Sequence, residues 1–429
     1  LMEVIMEKIR IQDDLYTYVN QETLEQLVIP DDQPATGGFS TLALSVEKLM
    51  INEFNEMCDS NNYPNSYLEN ACKLFKIAKN AQKKEADGIV PALKNVAILN
   101  DLKNLKDFSD SYKSLMLKRI PLPFSVSVDT DMKDTSRHLA HVQGPNVILP
   151  DASYYKPEMA QQKEMILGIW TNIAKMIIAK TDLSAEEQTK YIENALAFDA
   201  IIAPLVKTSE EWSEYVAMYN PMKTSKVASL VKPLNLKAVL KDLFGFVPET
   251  IIVSEPRFIK NFATVLNEET FELYKCWAYV TGLISYCSLL TEELRDLGSM
   301  YMRTLSGIAA NTPLEKFAYQ LASNIYSEPV GLYYGEKYFG EEAKKDITEI
   351  VYQIIDTYKS RIETNEILCE ETKQKAIKTT INIAFTLYIV QICKKYFYDE
   401  GGFLFNLRQD VRVMSWAGSG IGIFDALHA

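Results

Sequence analysis

Apolar residues that recur every three or four positions over most of the chain commit it to helices. Ile166, Ile169, Trp170, Ile173, Met176 and Ile177 form one such stripe, the spacing that places side chains on a single face of a 3.6-residue turn. Helix starts are marked as well. Ser184-Ala-Glu-Glu187 and Thr208-Ser-Glu-Glu211 carry the capping-box pattern, in which a hydroxyl accepts from the amide three residues on and the glutamate reaches back. Leu273, Trp277, Val280, Ile284 and Cys287 predict a core helix, opened by Asn267 as cap with Glu268 and Glu269 in its first turn, where carboxylates favour the helix dipole. A long helix is expected from 341 to 364, turning Ile347, Ile350, Val351, Ile354 and Tyr358 inward. The helical periodicity sets in only after the first fifty residues. Strand signals are few. Phe124, Val126 and Val128 alternate, and Val147-Ile-Leu149 is a short apolar run between Gly144-Pro145 and Pro150, which together predict a small hairpin inside a helical lobe.

At 429 residues the chain exceeds the usual size of one domain. A formal charge of -12 argues against a nucleic-acid partner, because neutralising phosphates needs clustered Lys and Arg in excess. No run of about eighteen apolar residues marks a membrane span, and residues 1–14 lack the layout of a signal peptide. Cys58, Cys72, Cys276, Cys287, Cys369 and Cys393 form no C-x-x-C pair and read as free, mostly buried thiols. A cytoplasmic location follows as the expectation, and the opening Leu1-Met2 suggests a natural start elsewhere.

Candidates for chemistry are sparse. Asp134, His138 and His141 would share one face if their segment were helical, and that face could hold a metal. The stretch lies between the two strand-like runs with no glutamate between its histidines, so solvent-facing histidines are the expected case. His428 stands one residue from the end, and Gly418-Ser-Gly420-Ile-Gly422 does not make G-x-G-x-x-G. Asp13-Asp14, Asp31-Asp32, Glu210-Glu211 and Glu370-Glu371 read as helix first turns or solvated faces. Tyr154-Tyr155 and Tyr333-Tyr334 read as packing groups with satisfied hydroxyls. No catalytic, cofactor-binding or metal residue is assigned on these grounds.

Longer stretches carry a resemblance. Asp13-Asp14-Leu15-Tyr16, Val19-Asn20 and Ile29-Pro30, followed by Pro34-Ala-Thr-Gly-Gly-Phe39, are similar to the opening pattern of the neprilysin and endothelin-converting-enzyme family, with Gln21 in place of its glycine and Leu24 in place of its tryptophan. Gly144 to Leu149-Pro150-Asp151 with Tyr154-Tyr155 resembles a second element. Further matches are Ser209-Glu-Glu-Trp212 with Met218-Tyr-Asn-Pro221, Val253-Ser-Glu-Pro256, Leu294-Arg-Asp-Leu-Gly298, and Ser327-Glu-Pro-Val-Gly-Leu-Tyr-Tyr334 continuing into Lys337-Tyr-Phe-Gly340. They run in order from about residue 10 to residue 378 and are closer to the bacterial oligoendopeptidase O branch.

The resemblance implies a two-lobed, mainly helical zinc endopeptidase that encloses short peptides in a chamber. Zinc in that family is held by two histidines one helical turn apart, with a glutamate between them as base and a later carboxylate as third ligand. No H-E-x-x-H occurs in the 429 residues. From Thr379 the chain departs from the family pattern, and although Gly420-Ile-Gly422 to His428 resembles the lead-in to the zinc helix, Ala429 stands where the glutamate belongs. The expected fold is therefore mainly α: a large helical lobe with a small β-hairpin, plus an incomplete second lobe. Its expected division is 1–50 as the N-terminal segment of the catalytic lobe, 51–330 as the helical lid or chamber lobe, and 331–429 as linker helices and a divergent start of the catalytic lobe. A truncated peptidase, inactive alone and without a cofactor of its own, is implied; a zinc-free peptide-binding pseudopeptidase is the alternative. Peptides and the missing catalytic lobe are the implied partners, with neither nucleic acid nor membrane. Exposed apolar surface and a loose segment after about residue 380 are expected to accompany it.

Overall fold

The computed structural model describes residues 9–379, and within them helices dominate. Both capping boxes form as read: Ser184 and Glu187 exchange bonds at the start of the Ala185–Ile202 helix, and Thr208 and Glu211 do so before the short helix Ser209–Ser213. The Ala160–Ile178 helix buries Ile166, Trp170, Ile173 and Ile177, while Met176 faces solvent. The core helix spans Phe271–Tyr286 and begins later than its acidic residues suggest. Asn267 instead accepts from the amides of Glu269 and Thr270 in the preceding turn, which keeps both glutamates outside the helix. This helix is buried nearly all round, with Tyr274 and Trp277 packed on Phe198 of the Ala185–Ile202 helix at ring-centroid distances of 5.7 and 5.4 Å. Helices surrounding a buried one is the arrangement expected of a large all-apolar stripe.

A four-stranded sheet lies at one side of this core. β1 (Ser125–Asp131) and β2 (Asp134–Gln143) form the antiparallel hairpin, pairing Val126 with Val142 and Val128 with Ala140. β3 (Pro221–Lys223) runs antiparallel to β4 (Thr250–Val253), and β4 runs parallel to β2, giving the order β1-β2-β4-β3. The predicted partner strand at Val147–Leu149 is not a strand. Those residues form an irregular segment whose Ile148 and Leu149 are buried, because the chain leaves the sheet at Gly144 and is fastened from below by side chains rather than by a ladder.

Two buried clusters hold the molecule together. The main one gathers the helices from Val90 to Ser306 and the sheet. The Glu292–Ser306 helix reaches its neighbour through Gly298, where a Cβ would stand 2.4 Å from the Cβ of Cys287 and 3.2 Å from the carbonyl oxygen of Ile284. The Gly in the Leu294–Gly298 motif is thus required by close helix approach. The second cluster is smaller and joins residues distant in sequence: Met50, Phe54, Leu68, Cys72 and Phe75 from the helices Gly38–Ser60 and Ser66–Ala78, with Ala318, Tyr319, Ala322 and Val330 from Leu314–Ile325 and Ser327–Tyr334.

The first fifty residues are more helical than their pattern suggests, with helices at Leu15–Gln26 and from Gly38 onward. No residue of the Leu15–Gln26 helix is buried, so it shows no inward stripe to read. The Gly340–Glu363 helix is where expected, but its apolar side faces outward: Ile350 and Ile354 are 49% and 50% exposed and Ile355 alone is buried in that helix. Of the cysteines described, Cys58, Cys72, Cys276 and Cys287 are buried free thiols and Cys369 is an exposed one. Cys393, His428, the Gly418–Gly422 run and the segment after residue 380 lie outside the described residues. Among the described residues no helix is long and apolar enough to cross a membrane.

Candidate functional site

The segment from Gly144 to Tyr155 is held by two buried carboxylates. Glu255, at the end of the Val253–Pro256 motif, accepts from the backbone amides of Gly144 and Lys207, each at 2.6 Å. Burial pushes its carboxyl up, with those two amides opposing. A Cβ on Gly144 would meet Val206 Cγ1 at 2.9 Å and Glu255 Oε2 at 3.0 Å, so the glycine is what admits the carboxylate. Asp199, from the last turn of the Ala185–Ile202 helix, accepts from the Ile148 amide at 2.8 Å and from the Tyr155 hydroxyl, while the Tyr301 hydroxyl donates to the Ile148 carbonyl. Asp151 is treated oppositely. Burial raises its carboxyl, but bonds from Ser153 and Ser209 outweigh this and hold it at about 2. Arg257 closes the group with paired bonds to Glu211 at 2.8 and 2.9 Å and a bond to the Val206 carbonyl, the bidentate geometry that suits guanidinium and carboxylate.

This anchored segment separates two clefts, of about 310 Å³ against Trp170, Trp277 and Thr281 and about 520 Å³ against Lys207, Trp212, Tyr301 and Met302. Cavities of that size lined by aromatic and a few polar groups are suited to a small ligand.

Asp199 also makes a pH signature. Burial pushes it up to about 7, the Ile148 amide opposing. A carboxyl raised in the folded state keeps its proton there while the unfolded chain has lost it, so stability is greatest below the unfolded value near 4 and falls as pH rises toward 7. Asp199→Asn is expected to remove that slope between pH 4 and 7, read as a flatter plot of urea midpoint against pH. An unchanged slope would mean the carboxyl is ionised in the fold.

A second polar group ties the ends together. Glu53, buried on the Gly38–Ser60 helix, accepts from Lys337 Nζ at 2.5 Å and from the hydroxyls of Tyr333 and Tyr338. Burial raises the Glu53 carboxyl, and these three donors together bring it below its ordinary value. Residues Gly335–Phe339 form a π-helical turn, a local widening that lets Tyr333, Lys337 and Tyr338 all reach one carboxylate.

The sequence candidates fall elsewhere. Asp134, His138 and His141 lie on β2 and not on a helix; the two-residue period sends His138 and His141 to opposite faces, and the register is irregular between Asp134 and His138. His138 is exposed, while His141 is half-buried and burial pushes its imidazole down. They do not fit a metal, and no group of three or more His, Cys, Asp or Glu among the described residues does. Asp14 caps the first helix, Asp32 pairs with Lys316 at 2.6 Å, Glu211 serves its capping box and Arg257, and Glu371 pairs with Lys375. Tyr155 and Tyr333 have satisfied hydroxyls, as read. The sequence reading missed Glu53 and Asp199 because single buried acids leave no periodic trace. Glu255 is detectable only through the motif at 253–256, and Arg257 follows directly after it.

The profile of Peptidase family M13 matches residues 11–384. The chain belongs to this family. It is 37% identical over 371 residues to a neutral endopeptidase of Lactococcus lactis subsp. lactis, a match covering 86% of this chain and 58% of that protein. It is 34% identical to a neutral endopeptidase of Lactobacillus helveticus, covering 85% and 56%. The crystal structure of PepO from Lactobacillus rhamnosis superposes with a TM-score of 0.80 at 27% identity, covering 87% of this chain and 59% of that one. The Mycobacterium tuberculosis zinc metalloprotease Zmp1 shares the fold, with a TM-score of 0.76 at 21% identity over 88% and 57%. This family M13 chain thus spans less than three fifths of the length of these two neutral endopeptidases. The glycines at 144 and 298 and the Glu53 and Glu255 anchors give a physical content to family-like motifs that would otherwise be bare patterns.

Proposed function

We propose that this chain supplies the helical lobe and chamber wall of a zinc endopeptidase of the oligoendopeptidase O kind, that it binds short peptides, and that it does not hydrolyse them without a catalytic lobe. The observation that carries this is the placement of its bare apolar surface. Leu15, Tyr16, Val19, Val28, Ile29, Phe39 and Leu42 near the front, and Ile347, Ile350, Ile354, Tyr358 and Ile367 near the end, are exposed. Both segments fall outside 51–330, which we assign to the chamber lobe: the first in 1–50, assigned to the catalytic lobe, and the second in 331–429, assigned to linker helices and the start of that lobe. Contiguous exposed apolar faces mark interaction sites. The relatives named as neutral endopeptidases support peptide bonds as the substrate class, and the zinc metalloprotease named among the structures supports zinc as the metal of the whole enzyme. The described residues fit no zinc, so the metal chemistry is assigned to other residues. Free thiols at Cys58, Cys72, Cys276 and Cys287 support a reducing, cytoplasmic location.

The test has two parts. The purified chain should bind short peptides by calorimetry while releasing no product in a chelator-controlled peptidase assay; robust chelator-sensitive hydrolysis by the chain would refute the division of labour. Ile350→Asp with Ile354→Asp should sharply reduce self-association in light scattering and shift stability by no more than about 0.5 kcal/mol, since both sites are exposed. Undiminished association would show that this face is not the sticky one.

A further inference from the structure

A small cavity of about 120 Å³ lies at the seam between the two cores, walled by Ala92, Leu289 and Leu290 and by the polar residues Lys83, Lys84, Asp87 and Asn95. Leu289 packs against the second core, while Ala92 and Leu290 belong to the main one. Lys84 is 9% exposed and its ammonium has no hydrogen-bond partner among the described residues. Its Nζ lies 5.6 Å from the centroid of the Phe317 ring, and the guanidinium of Arg295 stands 5.0 Å from the same ring. The local acids are already engaged: Glu292 bonds Arg295 at 3.1 and 3.2 Å, Asp87 pairs with Lys83 at 3.0 Å, and Glu85 accepts from the Glu292 amide. In the cavity wall Lys83 and Asp87 balance, which leaves the buried Lys84 ammonium without a partner there, a costly arrangement unless an acceptor completes it.

We infer that this seam cavity binds a small aliphatic monocarboxylate, its carboxylate on Lys84 with the Asn95 amide and its tail against Ala92, Leu289 and Leu290. The volume restricts the ligand to a compact one, since a cavity of about 150 Å³ holds benzene, and a four-carbon acid has as many non-hydrogen atoms as benzene. The Lys84 ammonium, sealed from water in this conformer, reaches the cavity by rotation of its flexible stem. Burial and the Arg295 charge push the amine down to about 8, with Glu292 opposing, so it still carries its proton at pH 7. The Arg295 guanidinium is held in place by its own bonds to Glu292 and to the Thr312 carbonyl at 2.6 Å.

The experiment uses the 429-residue chain with sodium butyrate, butyramide and sodium chloride at matched ionic strength. Butyrate should raise the melting temperature saturably, with a midpoint in the millimolar range, and slow reductive methylation of Lys84 at least fivefold by peptide mass spectrometry without changing Lys83. Lys84→Met, which keeps the apolar stem, should melt no lower than the parent and lose the butyrate response. The inference fails if butyramide or chloride reproduces the shift, if the methionine variant responds like the parent, or if butyrate leaves both melting and labelling unchanged. Should the variant not fold, Lys84 labelling in the parent chain alone decides.

Discussion

Phe54→Ala is expected to destabilise the protein by about 4 kcal/mol and to do so in one core only. Phe54 is completely buried and meets Phe75 and Tyr319 edge-on at ring-centroid distances of 5.6 and 5.2 Å. Truncation removes the transfer energy of the ring, both aromatic pairings and the filler of a space that rigid neighbours close only in part. Amide exchange by mass spectrometry should show lost protection over 38–78 and 314–334, with the Phe271–Tyr286 helix still protected. Uniform loss across both cores would show that they unfold as a single unit.

Glu255→Leu should cost about 3 kcal/mol, this time in the main core. The leucine matches the buried volume but leaves the amides of Gly144 and Lys207 without an acceptor, and each orphaned buried donor costs about 1–3 kcal/mol. Because burial already raises this carboxyl, part of the loss is offset by no longer desolvating a charge, which keeps the figure below the sum of both bonds. Glu255→Gln retains one acceptor and should lose about half as much. Urea titration of the three proteins reads the ordering directly, and leucine no worse than glutamine would mean that the amides find other partners.

Much of the helical architecture was legible because its causes are local. Capping boxes at Ser184 and Thr208 act over three residues, and the Ile166–Ile177 stripe needs only one face against one core. The errors share a cause too. The Val147–Leu149 run is apolar because it is buried, yet nothing local says that Asp199 and Glu255 hold it in place of a neighbouring strand. The Gly340–Glu363 helix was placed correctly and oriented wrongly, since periodicity reports which side is apolar and not what covers it. At Asp134, His138 and His141 the helical period was weighed where the two-residue period holds. The anchors at Glu53 and Asp199 depend on partners more than forty residues away, and a single acid within an apolar stretch carries no address.

The smaller core has a consequence for biosynthesis. Its first half is complete once Ala78 has been made, whereas its other half ends near Tyr334. At roughly 5–20 residues per second on the ribosome, Phe54, Leu68 and Phe75 wait on the order of ten to fifty seconds for the residues that cover them. During that interval the nascent chain presents a bare aromatic surface while the intervening helices fold, which makes these residues natural clients for a chaperone acting at the exit tunnel.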